Sequence, residues 1–231
     1  MPTTRLKIEE MAGLDPREVP MYWLSEVALY TGVPESTLKR WIGQISSAKP
    51  LIVPPPEEMQ QRTHELRLSF ANLLETHILD AARKHDIPIE QIRRGLEYLK
   101  ERFPNTAHPL LTTDFYSAPG TRNMFIQTIE GPVNISRHGQ SALAQILEKH
   151  LQRIEWDRSG PIRLMPMRSE IVVIDLNVAG GQPVIRGTGV IASVLAGRWR
   201  AGDTEEELAK GYDLPLDDVR AAIRYIDSAA A

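Results

Sequence analysis

The chain has 231 residues, 42% of them hydrophobic and 25% charged, with a net charge of −3 and a pI near 6.1. That balance describes a globular chain with no membrane-spanning run, and it excludes a general polyanion binder, so any nucleic-acid contact must come from a local basic face. The absence of cysteine excludes disulfides and thiolate chemistry, and with no leader segment it predicts a cytoplasmic location.

Residues 1–19 read as a lead-in arm of mixed charge. From Trp23 to Ile42 the sequence writes two short helices around one glycine. Leu24, Val27 and Ala28 give the first helix its inner face, and Ala28 is small enough for a second helix to cross over it. Gly32 supplies a turn with positive φ, which costs least in a residue without Cβ. Val33 fills the space between the helices, and Leu38, Trp41 and Ile42 recur at helical spacing in the second. The outer face of that second helix carries Ser36, Thr37, Lys39 and Arg40, the hydrogen-bonding and cationic groups that a helix in a DNA major groove uses. The alternative is an ordinary helical corner, because the fold of the motif does not itself prove DNA contact.

Beyond this motif, Leu51-Ile52-Val53 is β-prone and ends in Pro54-Pro55-Pro56, which bars helix and central strand alike. Glu65 to Phe70 is a second β-prone run. The two are expected to pair as a small hairpin, a wing carrying Arg62 and Arg67. Ser69 caps a helix through Leu73, Leu74, Ile78, Leu79 and Ala82. A break at His85-Asp86-Ile87-Pro88 restarts a helix with Ile89, Ile92 and Leu96. This order resembles the DNA-binding half of MerR-like regulators. The resemblance rests on Leu24-Ser25-Glu26-Val27-Ala28, Gly32-Val33-Pro34, Ser36 to Trp41, Leu68 to Leu73 and Ile87 to Ile92. Where that family carries a glycine and an arginine–aromatic pair in the wing, this chain has prolines. The resemblance implies operator DNA as a partner, with Ser36, Thr37, Lys39 and Arg40 as the contacts and Arg62 and Arg67 as secondary ones.

The middle of the chain changes texture. Leu110 to Tyr116 and Asn123 to Ile129 are β-prone, with a hairpin turn expected at Pro119-Gly120-Thr121-Arg122 and a further turn at Gly131-Pro132. Ala142, Leu143, Ile146, Leu147, His150, Leu151 and Ile154 form one helical stripe. Two more strands are expected at Ile162 to Met165 and Ile171 to Ile174. This region reads as a packing or dimer element, or as an effector pocket. A single helix–turn–helix on a nearly neutral chain makes few contacts, so a homodimer is expected, through the 138–154 helix or the C-terminal region.

Asp175 to Val190 is glycine-rich. It has neither the lysine of a phosphate loop nor the spacing of a dinucleotide fingerprint, and reads as a turn leading into a helix with Val194, Leu195 and Trp199. Thr204 and Glu207 make a capping box for the next helix, and Asp217 to Ile226 is the last. This second helix–turn–helix has an acidic outer face of Glu205, Glu206, Asp217, Asp218 and Asp227, which suits a protein partner better than a phosphate backbone. The segment resembles the small family known as the domain of unknown function numbered 433. The residues are Gly181-Gln182-Pro183-Val184-Ile185-Arg186-Gly187-Thr188, Ala201 to Leu208, and Tyr212 to Val219. Gly189 stands where that family usually has an arginine. With the MerR-like front half, the chain resembles a VapB-type antitoxin. That resemblance implies a PIN-like ribonuclease toxin as partner, with Arg186, Arg198 and Arg200 as candidates to enter its carboxylate-rich active site, since a guanidinium pairs with two carboxylates at once.

No catalytic constellation is legible. The six histidines show no pair at metal-ligand spacing with a third donor, Ser141 and Ser193 lack a neighbouring base, and the tryptophans fall in or just before helical patterns and read as core. No enzyme, cofactor or metal is expected. The expected fold is mainly α with small β elements (α+β). Residues 1–105 form a winged helix–turn–helix, 106–168 a middle α+β linker or dimer region, and 169–231 a three-helix toxin-binding unit. The function expected is an antitoxin that neutralises a PIN-like ribonuclease and represses its own operon. The alternative is a stand-alone MerR-like regulator with a ligand-sensing middle.

Overall fold

The computed structural model describes residues 14–46, 48–60, 66–84, 89–102, 104–111, 125–128, 131–134, 150, 152–158, 160–166 and 169–227. Helix α1 (Leu24–Thr31) and helix α2 (Glu35–Trp41) form the helix–turn–helix. Gly32 between them sits at φ 78° and ψ 15°, and its N–H closes on the carbonyl of Ala28 at 2.8 Å. That is a left-handed cap, the conformation for which the glycine is needed. Val27, Val33 and Leu38 are fully buried, with Trp41 and Ile42 nearly so. The inner face therefore follows the helical spacing of the apolar residues.

The expected wing hairpin does not form between its two predicted strands. Strand β1 (Tyr22–Trp23) pairs antiparallel with β2 (Arg67–Leu68), Tyr22 opposite Leu68. Leu51 and Ile52 instead give their N–H groups to the carbonyl of Trp41, at 2.7 and 3.2 Å, and bury their side chains beneath α2. Their donors are thus consumed by a helix C-terminus whose carbonyls need partners, and the prolines that follow have no N–H to offer a ladder. Gln60 bridges the returning segment. Its Nε2 donates to the carbonyls of Pro55 and Arg67 at 3.0 Å each, and its Oε1 accepts from the Arg67 N–H at 3.0 Å. One side-chain amide does the work of a strand peptide there.

Helix α3 (Phe70–Lys84) is central, with Phe70 through Ala82 all buried. Ser69 and Asn72 cap it reciprocally, each backbone N–H meeting the other's side chain at 3.2 Å. Helix α4 (Ile89–Arg102) follows and buries Ile92 and Leu96. Leu110 and Leu111, expected in a strand, lie in a short 3-10 turn (Pro109–Leu111). Strands β3 (Phe125–Thr128) and β4 (Gly131–Asn134) pair antiparallel, so Gly131-Pro132 opens a strand instead of making the expected turn. Most of the expected 138–154 helix lies outside the described residues. Its last apolar residue, Ile154, begins strand β5 (Ile154–Asp157).

Strands β5, β6 (Gly160–Leu164), β7 (Val172–Asp175) and β8 (Pro183–Ile185) form one antiparallel sheet in sequence order. Arg163 lies opposite both Glu155 and Asp175 and binds each, at 2.5 and 2.6 Å, so charge pairing across the ladder reinforces the register. Helices α5 (Ala192–Arg200), α6 (Glu205–Tyr212) and α7 (Leu216–Asp227) close the chain. The predicted box at Thr204 is present: its Oγ1 accepts from the Glu207 N–H at 3.2 Å, and its own N–H donates to the Glu207 carboxylate at 2.9 Å. The architecture is α+β. The sheet joins two cores: Ile154, Leu164 and Ile174 pack with α1–α4, whereas Val172 and Ile185 pack with Leu195, Leu208, Val219 and Ile223.

Candidate functional site

The outer face of α2 is built as its spacing requires. Leu38 and Trp41 anchor the helix from below, which turns Ser36 and Arg40 fully outward and leaves Thr37 and Lys39 half-exposed. Lys39 lies 3.7 Å from Glu35, one turn back, with both side chains more than 40% exposed. A pair so exposed holds little energy and yields readily to a phosphate. All four reach solvent from this short helix, Ser36 and Arg40 the most.

Arg67 sits apart from them on β2. Its guanidinium lies 3.9 Å from the centre of the Trp23 ring, a cation–π contact. Among the described residues its buried Nε has no hydrogen-bond partner. Trp23 is thus a strand residue stacked under an arginine. Glu26 lies close by and accepts from the Trp23 N–H at 2.8 Å. Burial raises the Glu26 carboxyl above the ordinary carboxylate value, and that N–H and the Arg67 charge offset part of the rise. Arg62 lies outside the described residues.

A feature without a sequence signal adjoins α2. An open cleft of about 440 Å³ is lined by Lys49, Pro50, Arg93, Leu96, Glu97 and Lys100. Arg93 reaches across from α4 to the backbone carbonyl of Lys49. The segment from Lys49 to Ile52 meets the end of α2, so the cleft lies beside that helix. Its charges are mixed, with Lys49 3.9 Å from Glu97.

The three arginines proposed for a protein partner are not gathered into one cluster. Arg186 follows β8 and is exposed, and its guanidinium donates to the Met165 sulfur at 3.3 Å. Arg198 and Arg200 lie at the far end of α5, about 9 and 12 Å of helix from its start. Arg198 is held by Asp203 at 2.5 Å and lies over the Tyr212 ring at 5.6 Å. Hydrogen bonding to Tyr212 and then to Asp203 raises its pKa further. Arg200 pairs with Asp227. Both thus carry acidic partners from their own chain, and Arg186 is the one without a carboxylate among the described contacts. On the acidic face, Arg220 is ringed by Glu205 at 2.7 Å and by Glu206 and Asp217 at 3.7 Å, leaving an excess of negative charge there.

Two further features had no sequence signal. His108 links three distant segments, with Nε2 2.8 Å from Glu18 and Nδ1 3.0 Å from Glu75. The second contact is out of line for a hydrogen bond and acts through charge. Burial alone would lower the imidazole pKa, but the two carboxylates outweigh it and push it up to about 10. In addition, two buried tyrosines tie the helix–turn–helix to the C-terminal unit. The Tyr22 hydroxyl donates to the Gly181 carbonyl at 2.9 Å, and the Tyr225 hydroxyl donates to the Tyr30 carbonyl at 2.9 Å. Among the described residues, no group of three or more acidic or histidine side chains is arranged to hold a metal, and no helix is long and apolar enough to cross a membrane.

Residues 172–226, covering β7, β8 and α5–α7, match the family described as "Protein of unknown function (DUF433)", so the C-terminal unit is a domain of that family. Over 227 residues the chain is 29% identical to the Mycobacterium tuberculosis protein named "Putative antitoxin VapB45", covering 89% of this chain and 93% of that one. The fold is similar to the crystal structure of Rv2018 from Mycobacterium tuberculosis, with a TM-score of 0.65 and 25% identity over 89% of this chain and 97% of that one.

Proposed function

We propose that this protein is the antitoxin of a type II toxin–antitoxin pair. In this reading it neutralises a PIN-like ribonuclease through its C-terminal unit and represses its own operon by binding operator DNA through α2. It performs no catalysis itself. The observation that carries the reading is the union, in one chain, of an exposed Ser36, Thr37, Lys39 and Arg40 face on a helix–turn–helix with a DUF433 unit of acidic outer surface. Similarity to a protein named as an antitoxin runs across both parts and is not confined to either.

The division of labour follows from charge. A nearly neutral chain meets DNA only where cations are concentrated, and α2 offers Lys39 and Arg40 with only the weakly held Glu35 in opposition. The acidic surface around Glu205, Glu206 and Asp217 repels a phosphate backbone and suits the basic RNA-binding face of a nuclease. Arg186 extends from the same unit, free to pair with acidic-site carboxylates. Two copies double the DNA contacts, and a homodimer is therefore part of the proposal.

The test has two halves. The full chain should retard a duplex from upstream of its own coding sequence more strongly than a scrambled duplex of the same composition. It should also co-purify with the ribonuclease encoded beside it. Equal retardation of both duplexes would remove the operator-binding half of the reading.

A further inference from the structure

We infer that the C-terminal unit is a working part of the DNA reader, in which Tyr225 and Tyr22 act as positioning residues that set the pose of α2 without touching DNA. The inference rests on the operator-binding reading above. It starts from how α1 ends. The last carbonyls of a helix have no intrahelical donors. In α1, Val27 is met by its own neighbour Thr31 at 2.6 Å and Ala28 by the Gly32 N–H at 2.8 Å. Tyr30 is met by the hydroxyl of Tyr225, 195 residues away on α7, at 2.9 Å and buried. One of the caps at the end of this helix is therefore supplied by the far end of the chain.

A second strut holds the other end of α1. Tyr22, on the strand that leads into the helix, donates to the Gly181 carbonyl at 2.9 Å. A Cβ on Gly181 would lie 2.3 Å from that hydroxyl and 3.2 Å from the Met21 sulfur, so the approach is open only to glycine. The rings of Tyr22 and Tyr30 meet edge-on, 6.0 Å apart at 87°, and link the two struts. Leu29 of α1 packs against the C-terminal core between them. Helix α1 is thus fastened at both ends and along one side. Helix α2 follows it after only Gly32-Val33-Pro34 and shares its core through Val27, Val33 and Leu38, so a shift of α1 is passed on to α2.

The consequence for DNA is selective. Base-edge contacts need side chains placed to within about 0.5 Å. Phosphate contacts from a long lysine or arginine tolerate a looser pose. Loosening either strut should therefore reduce sequence discrimination and leave non-specific affinity intact, which a general loss of structure would not do.

The experiment uses full-length protein carrying Tyr225→Phe or Tyr22→Phe, each of which removes one hydroxyl and keeps the ring. Affinity is measured over a salt series for the upstream duplex and for its scrambled counterpart, with near-ultraviolet circular dichroism as a check on the fold. The ratio of the two affinities should fall about tenfold in each variant, the effect of one lost buried hydrogen bond. Scrambled-duplex affinity and the salt slope should stay at the wild-type values. An unchanged ratio in both variants would overturn the inference, as would parallel losses on both duplexes. If the wild-type protein does not discriminate between the duplexes, the operator-binding reading fails first and this inference falls with it.

Discussion

The hydroxyl of Tyr225, in the last helix, donates a buried 2.9 Å hydrogen bond to the backbone carbonyl of Tyr30 in the first. The two residues close the chain on itself, so the helix–turn–helix and the DUF433 unit are not independent beads on a linker. A chain ending at Ile171 would lose β7, β8 and the three helices after them, and would uncover Leu29, Tyr30 and the part of the first core that Ile174 fills. Such a fragment should lack a cooperative thermal transition in near-ultraviolet circular dichroism. A sharp transition from it would show that the front half folds alone.

His108 makes a pH-dependent contribution whose sign is fixed by its surroundings. Its folded pKa of about 10 lies above the ordinary imidazole value of 6.5. The stabilisation is therefore fully present below pH 6.5 and is lost as pH rises through about 10. His108→Gln leaves buried Glu75 without its cation and should cost about 3 kcal/mol near pH 6, read from urea midpoints. The gap between wild type and variant should close above about pH 10. An equal gap at both pH values would mean that the ring matters only by its shape.

Lys39 and Arg40 carry the positive charge of the reading face. Changing both to alanine should weaken binding to the upstream duplex by about tenfold or more and reduce the slope of log affinity against log salt by about two. Fluorescence anisotropy over a salt series measures both quantities. An unchanged slope would mean that the phosphates are met elsewhere, for instance at the Lys49, Arg93 and Lys100 cleft.

Among the arginines of the C-terminal unit, the structure separates one from the other two. Arg198 and Arg200 are held by Asp203 and Asp227, whereas Arg186 is exposed beside a methionine sulfur. Arg186→Glu should weaken nuclease inhibition by about tenfold or more, and Arg200→Ala should leave it within about twofold. The reverse order of effects would place the toxin contact at the far end of α5.

What was legible in the sequence was local. The alternation of small, apolar and glycine residues at Ala28, Gly32, Val33 and Leu38 specifies the helix–turn–helix because each acts within one or two turns of its neighbours. The caps at Ser69 and Thr204 are legible for the same reason. The wing was not. The two-residue strand at Arg67 finds its partner at Trp23, far upstream, and so short a ladder leaves no periodic trace. Ile154 fitted a helical stripe and yet begins a strand, because one apolar residue at the end of a run satisfies either period. The tryptophans show how far burial escapes pattern. Trp41 is core, but Trp199 is 39% exposed and Trp23 serves as a platform for Arg67. For the candidate site, the four exposed residues of α2 were readable one by one. The fastening of the preceding helix α1 by Tyr22, Gly181 and Tyr225 was not, since no spacing rule connects residues 159 and 195 positions apart.

The central claim is that this chain neutralises a ribonuclease, and one titration tests it most directly. The purified full-length protein is added in steps to the PIN-like ribonuclease that the proposal expects beside its gene, and cleavage of a labelled RNA is followed at each step. The account predicts that cleavage falls steadily and is abolished once antitoxin matches toxin in amount. Cleavage that persists at full rate in a large excess of this protein would contradict it.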